Sequence, residues 1–131
     1  MINIKKFEFK KSYEEVELAG KTYKIEFNDE KLLEYSKAFD NFYQEIQDIN
    51  KVDTSDMDAE EQEEIFKDMQ KIIKSITDVI LGVGSYDTLY EQSGQSIMNM
   101  VYMIEFLSDV VGERMEQSRE EKKQRYVKKN V

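Results

Sequence analysis

Residues 28–49, NDEKLLEYSKAFDNFYQEIQDI, decide how this chain folds. Leu32, Tyr35, Phe39, Phe42, Ile46 and Ile49 recur in it at spacings of 3, 4, 3, 4 and 3. That spacing lines six large apolar side chains along one stripe of an α-helix, a seam about three heptads long. Asn28 or Asp29 can cap the helix, because either side chain accepts a hydrogen bond from a first-turn amide. A helix with such a stripe needs something to bury it against, and the flanking sequence supplies it.

Toward the N-terminus, residues 7–27 read as β structure. Tyr23, Ile25 and Phe27 alternate with Thr22, Lys24 and Glu26, the period of a strand with one buried face. Val16 and Leu18 alternate likewise before Ala19-Gly20-Lys21, where Gly20 can take the positive φ of a tight turn. A hairpin pairing 15–18 with 22–27 follows, and Phe7 and Phe9 offer a short third strand. Two strands alone are marginal, so the hairpin must pack on helices or on another subunit.

Toward the C-terminus, residues 50–57 form a polar linker, after which Ser55 or Asp58 can cap a second helix. Glu60, Glu61, Glu63 and Glu64 suit its first turns, where the helix dipole favours negative charge. Its stripe is Ile65, Met69, Ile72, Ile76 and Val79, widened by Phe66, Ile73 and Ile80, and Gly82-Val83-Gly84 ends it. Residues 85–96 read as one short helical turn with a break at Gly94. A third helix starts near Ser96. Ile97, Met100, Val101, Met103, Ile104, Leu107, Val110 and Val111 make one broad apolar face on it. The polar stretch 113–126 can continue the helix to Tyr126. The expected fold is mainly α in a single domain, 1–131. It has an N-terminal β-hairpin (7–27), a core of three long helices (28–112) and a basic helical extension or tail (113–131).

Composition narrows the function. The chain has no His, Cys, Trp or Pro. Without His or Cys, the commonest general base, the thiol nucleophile and the usual transition-metal ligands are missing, so neither an enzyme nor a metal or cofactor site is expected. Residues 53–64 (DTSDMDAEEQEE) are acidic but lack the central glycine of an EF-hand. Gly82-Val83-Gly84-Ser85 lacks the following Gly-Lys-Ser/Thr of a phosphate loop. The net charge is −9, with seven Lys/Arg against four Asp/Glu in residues 113–131, which leaves −12 on residues 1–112. An acidic body disfavours nucleic acid as a partner. No apolar run approaches the roughly 20 residues that span a bilayer, so no membrane partner is expected either. The absence of cysteine suits a reducing cytoplasm.

What remains is binding through surfaces. Met98, Tyr102 and Phe106, at spacing four, form a second stripe on the third helix among Asn99, Glu105 and Asp109. One broad face is enough to seat a helix in a small core, so this second stripe must be covered by another helix of the chain or by a partner. In the latter case Met98, Tyr102 and Phe106 are the partner-binding residues.

The order of elements resembles a known family. The carrying segments are Gly-Lys-Thr-Tyr-Lys-Ile-Glu-Phe (20–27), Asn-Asp-Glu-Lys-Leu-Leu (28–33), Gly-Val-Gly-Ser-Tyr-Asp-Thr-Leu-Tyr-Glu (82–91) and the basic Arg-Glu-Glu-Lys-Lys-Gln-Arg-Tyr tail (119–126). Together they look like the small tail assembly chaperones of long-tailed phages and prophages of Gram-positive bacteria. The resemblance implies binding to the tape-measure protein, a very long helical protein with apolar stretches, and help in recruiting tail-tube protein. It also implies a homo-oligomer acting in the bacterial host cytoplasm and absent from the mature virion. Edge-to-edge hairpin pairing would give a ring or spiral around the client. Such chaperones often have a longer frameshifted form, with which Lys128-Lys129-Asn130 is compatible. Two other readings fit the composition: an acidic inhibitor or nucleic-acid mimic, and a structural tail-completion subunit.

Overall fold

The computed structural model describes residues 3–53 and 55–129, with the side chains of all of these except 118, 119, 121, 122 and 124–129. The elements run β1 (Tyr13–Leu18), β2 (Lys21–Glu26), α1 (Asp29–Asn50), α2 (Ala59–Leu81), α3 (Ser85–Gln92) and α4 (Ile97–Lys129). The fold is mainly helical with a small N-terminal antiparallel hairpin. Among the described residues there are four helices rather than three long ones alone, because Ser85–Gln92 is a helix of its own and not a single turn.

The hairpin forms where the alternation places it. Val16 faces Tyr23 across the strands and Leu18 faces Lys21, so a two-residue Ala19-Gly20 turn joins them. Both turn residues have positive φ, 52° at Ala19 and 80° at Gly20, the twist a tight hairpin turn requires. Val16, Leu18, Tyr23 and Ile25 point into the core, and Glu15, Glu17 and Lys24 point out. Phe7 and Phe9 do not add a third strand. Residues 3–11 have no strand pairing, and both rings face solvent. Alternation gives a segment a sheet-like face, but only a neighbouring edge makes it a strand.

The helix caps follow sequence chemistry. The Lys31 N–H donates to Asn28 Oδ1 (2.9 Å), the Glu61 N–H to Asp58 Oδ1 (2.8 Å) and the Asn99 N–H to Ser96 Oγ (3.2 Å). Of the two expected second-helix caps, Ser55 is used elsewhere. Its amide and hydroxyl donate to Asp53 Oδ1 (2.9 and 2.7 Å) and hold that carboxyl below its usual range. Gly82 ends α2 at φ 107° and ψ 154°, a backbone region essentially reserved for glycine.

One buried apolar cluster draws on every element. Tyr35, Phe39 and Phe42 line it from α1. From α2 come Ile73, Ile76, Thr77 and Ile80, a correction to the expected stripe. Ile65, Met69, Ile72 and Val79 are only partly buried, so the helix is rotated toward the residues expected merely to widen its face. The cause is that α2 meets α1, α3, α4 and β2 together. The buried Thr77 hydroxyl is accommodated by donating to the Ile73 carbonyl (2.7 Å). Arg114 ties α4 to the hairpin. Its guanidinium meets Glu14 (3.4 Å), donates to the Lys11 carbonyl (2.6 Å) and lies over the Phe27 ring (5.4 Å).

The expected extension 113–126 is helical and continues α4 without a break, despite Gly112. Met115 is its last described side chain packed on the core. Thr54 of the linker and Asn130 and Val131 of the tail lie outside the described residues, and so does part of the Lys128-Lys129-Asn130 run.

Candidate docking surface

The helix α4 presents two apolar faces, and only one is buried. Met100, Ile104, Leu107 and Val111, spaced 4, 3 and 4, turn into the core. The second stripe points outward: Met98 is 56% exposed, Tyr102 58% and Phe106 47%. Both faces are apolar because side chains at i and i+4 share a side, and the two stripes start two residues apart. Among the described residues, no helix covers the outer stripe. The helix α3, whose Leu89 and Gln92 lie beside Tyr102 and Phe106, has 8 residues and is therefore only about 12 Å long.

The structure adds walls to part of that stripe. Tyr102 and Phe106 line a groove of about 530 Å³ together with Met100 and Met103 of α4, Leu18 and Ala19 of the hairpin turn, and Leu89 of α3. Met98 is not among its lining residues and extends the apolar surface beyond the groove. The sequence does not mark Leu18, Ala19 and Leu89 as groove residues. They are brought there by tertiary packing, with the Ala19-Gly20 turn supplying one wall.

The electrostatics of the groove are one-sided. Glu17 and the polar Gln92, Ser93 and Asn99 form part of its edge. Residues 85–112, which provide α3 and the first half of α4, hold Asp87, Glu91, Glu105 and Asp109 and no Lys or Arg. Charge of a single sign around an apolar cleft favours a ligand of the opposite sign.

Other sequence features serve the fold. At the Gly82-Val83-Gly84-Ser85 junction, Asp78 Oδ1 accepts from the Tyr86 N–H (3.0 Å), and the Ser85 hydroxyl donates to the Gly82 carbonyl (2.6 Å). A carboxylate thus sits where a phosphate would have to bind. The acidic start of α2 is solvated, with Glu63 paired to Lys67 at 3.5 Å. Among the described residues there is no group of three or more His, Cys, Asp or Glu placed to hold a metal, and no helix long and apolar enough to cross a membrane. Burial pushes the Tyr35 phenol up to about 12, helped by the Glu26 and Glu34 carboxylates. That ring packs edge-to-face on Phe27 (6.2 Å) inside the core, away from the groove. The chain matches no protein-family model, no curated protein and no solved structure.

Proposed function

We propose that this chain is a tail assembly chaperone of a long-tailed phage or prophage, binding apolar helical stretches of a tape-measure protein without catalysis. The observation that carries the reading is the uncovered Met98–Tyr102–Phe106 stripe on α4. An apolar stripe at helical spacing beside a groove is the kind of surface that takes up an amphipathic helix. The long helices α1, α2 and α4 act as the bundle that holds this stripe outward. The acidic body keeps the complex soluble and self-repelling, and the flexible side chains of Met98 and Met103 let the surface adapt to varied apolar segments. In this role the protein works in the host cytoplasm as a homo-oligomer, recruits tail-tube protein and leaves before the virion is complete.

The test is purification of the tagged chain from phage-induced cells, in wild-type form and as Met98→Asp with Phe106→Asp. A long helical tail protein should accompany the wild type and persist at high salt. The variant should lose it while keeping its helical circular dichroism, and finished particles should lack the chain. A partner stripped by modest salt would instead favour the acidic inhibitor, since screening removes charge-driven binding but not apolar burial. Presence in finished particles would favour a structural tail subunit.

A further inference from the structure

The segment of residues 3–11 forms an arm that carries two exposed aromatic rings. Phe7 is 79% exposed and Phe9 90%, and their rings meet edge-to-face at 5.0 Å to form one wedge. They sit at alternate positions of a segment carrying four Lys against one Glu, a charge of +3. The groove beside Tyr102 and Phe106 has the opposite properties: it is apolar within, Glu17 lies on its edge, and the stretch 85–112 that forms its helical walls adds Glu91, Glu105 and Asp109, besides an Asp87 paired to Lys74 (3.8 Å), with no Lys or Arg.

We infer that the N-terminal arm of one copy docks Phe7 and Phe9 into the Tyr102–Phe106 groove of a second copy. Each partner fits the other in both polarity and charge. The arm does not occupy the groove of its own chain. Its base is pinned beside α4 by the bond from Arg114 to the Lys11 carbonyl, two helical turns beyond Phe106, whereas the groove lies at the turn end of the hairpin. Every copy carries one arm and one groove, so the contact is head-to-tail and builds a ring if the rotation closes or a filament if it does not. The same contact keeps Tyr102 and Phe106 covered until a client displaces the arm. The inference stands whether or not that client is a tape-measure protein.

The experiment is sedimentation of the purified full chain and two variants. Phe7→Ser with Phe9→Ser removes the wedge, and Tyr102→Asp with Phe106→Asp removes the groove. Wild type should associate as concentration rises, and each variant should stay monomeric. An equal mixture of the two variants should form a dimer and nothing larger, because one good arm meets one good groove. Should the groove variant lose its helical circular dichroism, Glu105→Lys with Asp109→Lys at exposed positions takes its place. It should weaken association about tenfold. A monomeric wild type, an arm variant that associates like wild type, or a variant mixture that stays monomeric would each overturn the inference. Client capture by the arm variant is read separately, so loss of self-association leaves the chaperone reading intact.

Discussion

Two substitutions two residues apart on α4 separate its faces. Ile104 is fully buried (0% exposed), at the centre of the core stripe. Replacing it with Ala removes three carbons from a close-packed site and should cost about 3 kcal/mol, within the range for buried Ile→Ala changes. For a domain of this size that lowers the melting temperature by about 10 °C. Phe106 loses only about half of a buried aromatic's transfer energy on truncation, and Ala is the better helix former by roughly 0.5 kcal/mol. Phe106→Ala should therefore cost about 1 kcal/mol or less, a drop of about 3 °C. Thermal unfolding followed at 222 nm reads both. The comparison belongs in the Phe7→Ser, Phe9→Ser background, so that self-association adds nothing to the apparent stability of the Phe106 protein. A Phe106→Ala shift equal to or larger than that of Ile104→Ala would refute the assignment of inner and outer faces.

Three further expectations rest on other elements. Phe39→Ala on the α1 seam should cost about 3–5 kcal/mol in a urea titration, and an unchanged midpoint would mean that the seam is not packed. Gly82→Ala forces a side chain into the glycine-only region and should cost about 1–3 kcal/mol, read as a lower melting temperature with unchanged helix content. Because Tyr35 stays protonated in the folded state up to about 12 against about 10 when unfolded, folding is favoured below pH 10 and stability falls as pH climbs from 10 toward 12. A tyrosinate absorbance titration should show a late step that Tyr35→Phe removes, and a wild-type curve without that step would contradict the burial.

Local features of this fold were legible in the sequence, because they are set within a few residues. The caps at Asn28 and Asp58, the glycine stop after α2, the Ala19-Gly20 turn and the alternation in the hairpin all satisfy backbone groups or place apolar groups on one side without reference to distant residues. The Met98–Tyr102–Phe106 stripe was legible for the same reason: spacing four puts three side chains on one side of any α-helix. Three things were decided by tertiary structure. The rotation of α2 onto Ile73, Ile76, Thr77 and Ile80 depended on four neighbouring elements, since its β-branched residues circle too much of the helix for periodicity to choose a face. Phe7 and Phe9 alternate as a strand does, yet remain unpaired because no edge lies beside them. The outward stripe acquired a wall from Leu18 and Leu89, far away in the chain, and stayed uncovered because α3 is too short to lie across it. Sequence sets which surfaces are apolar through local geometry; only the packing of distant segments determines which of them water still reaches.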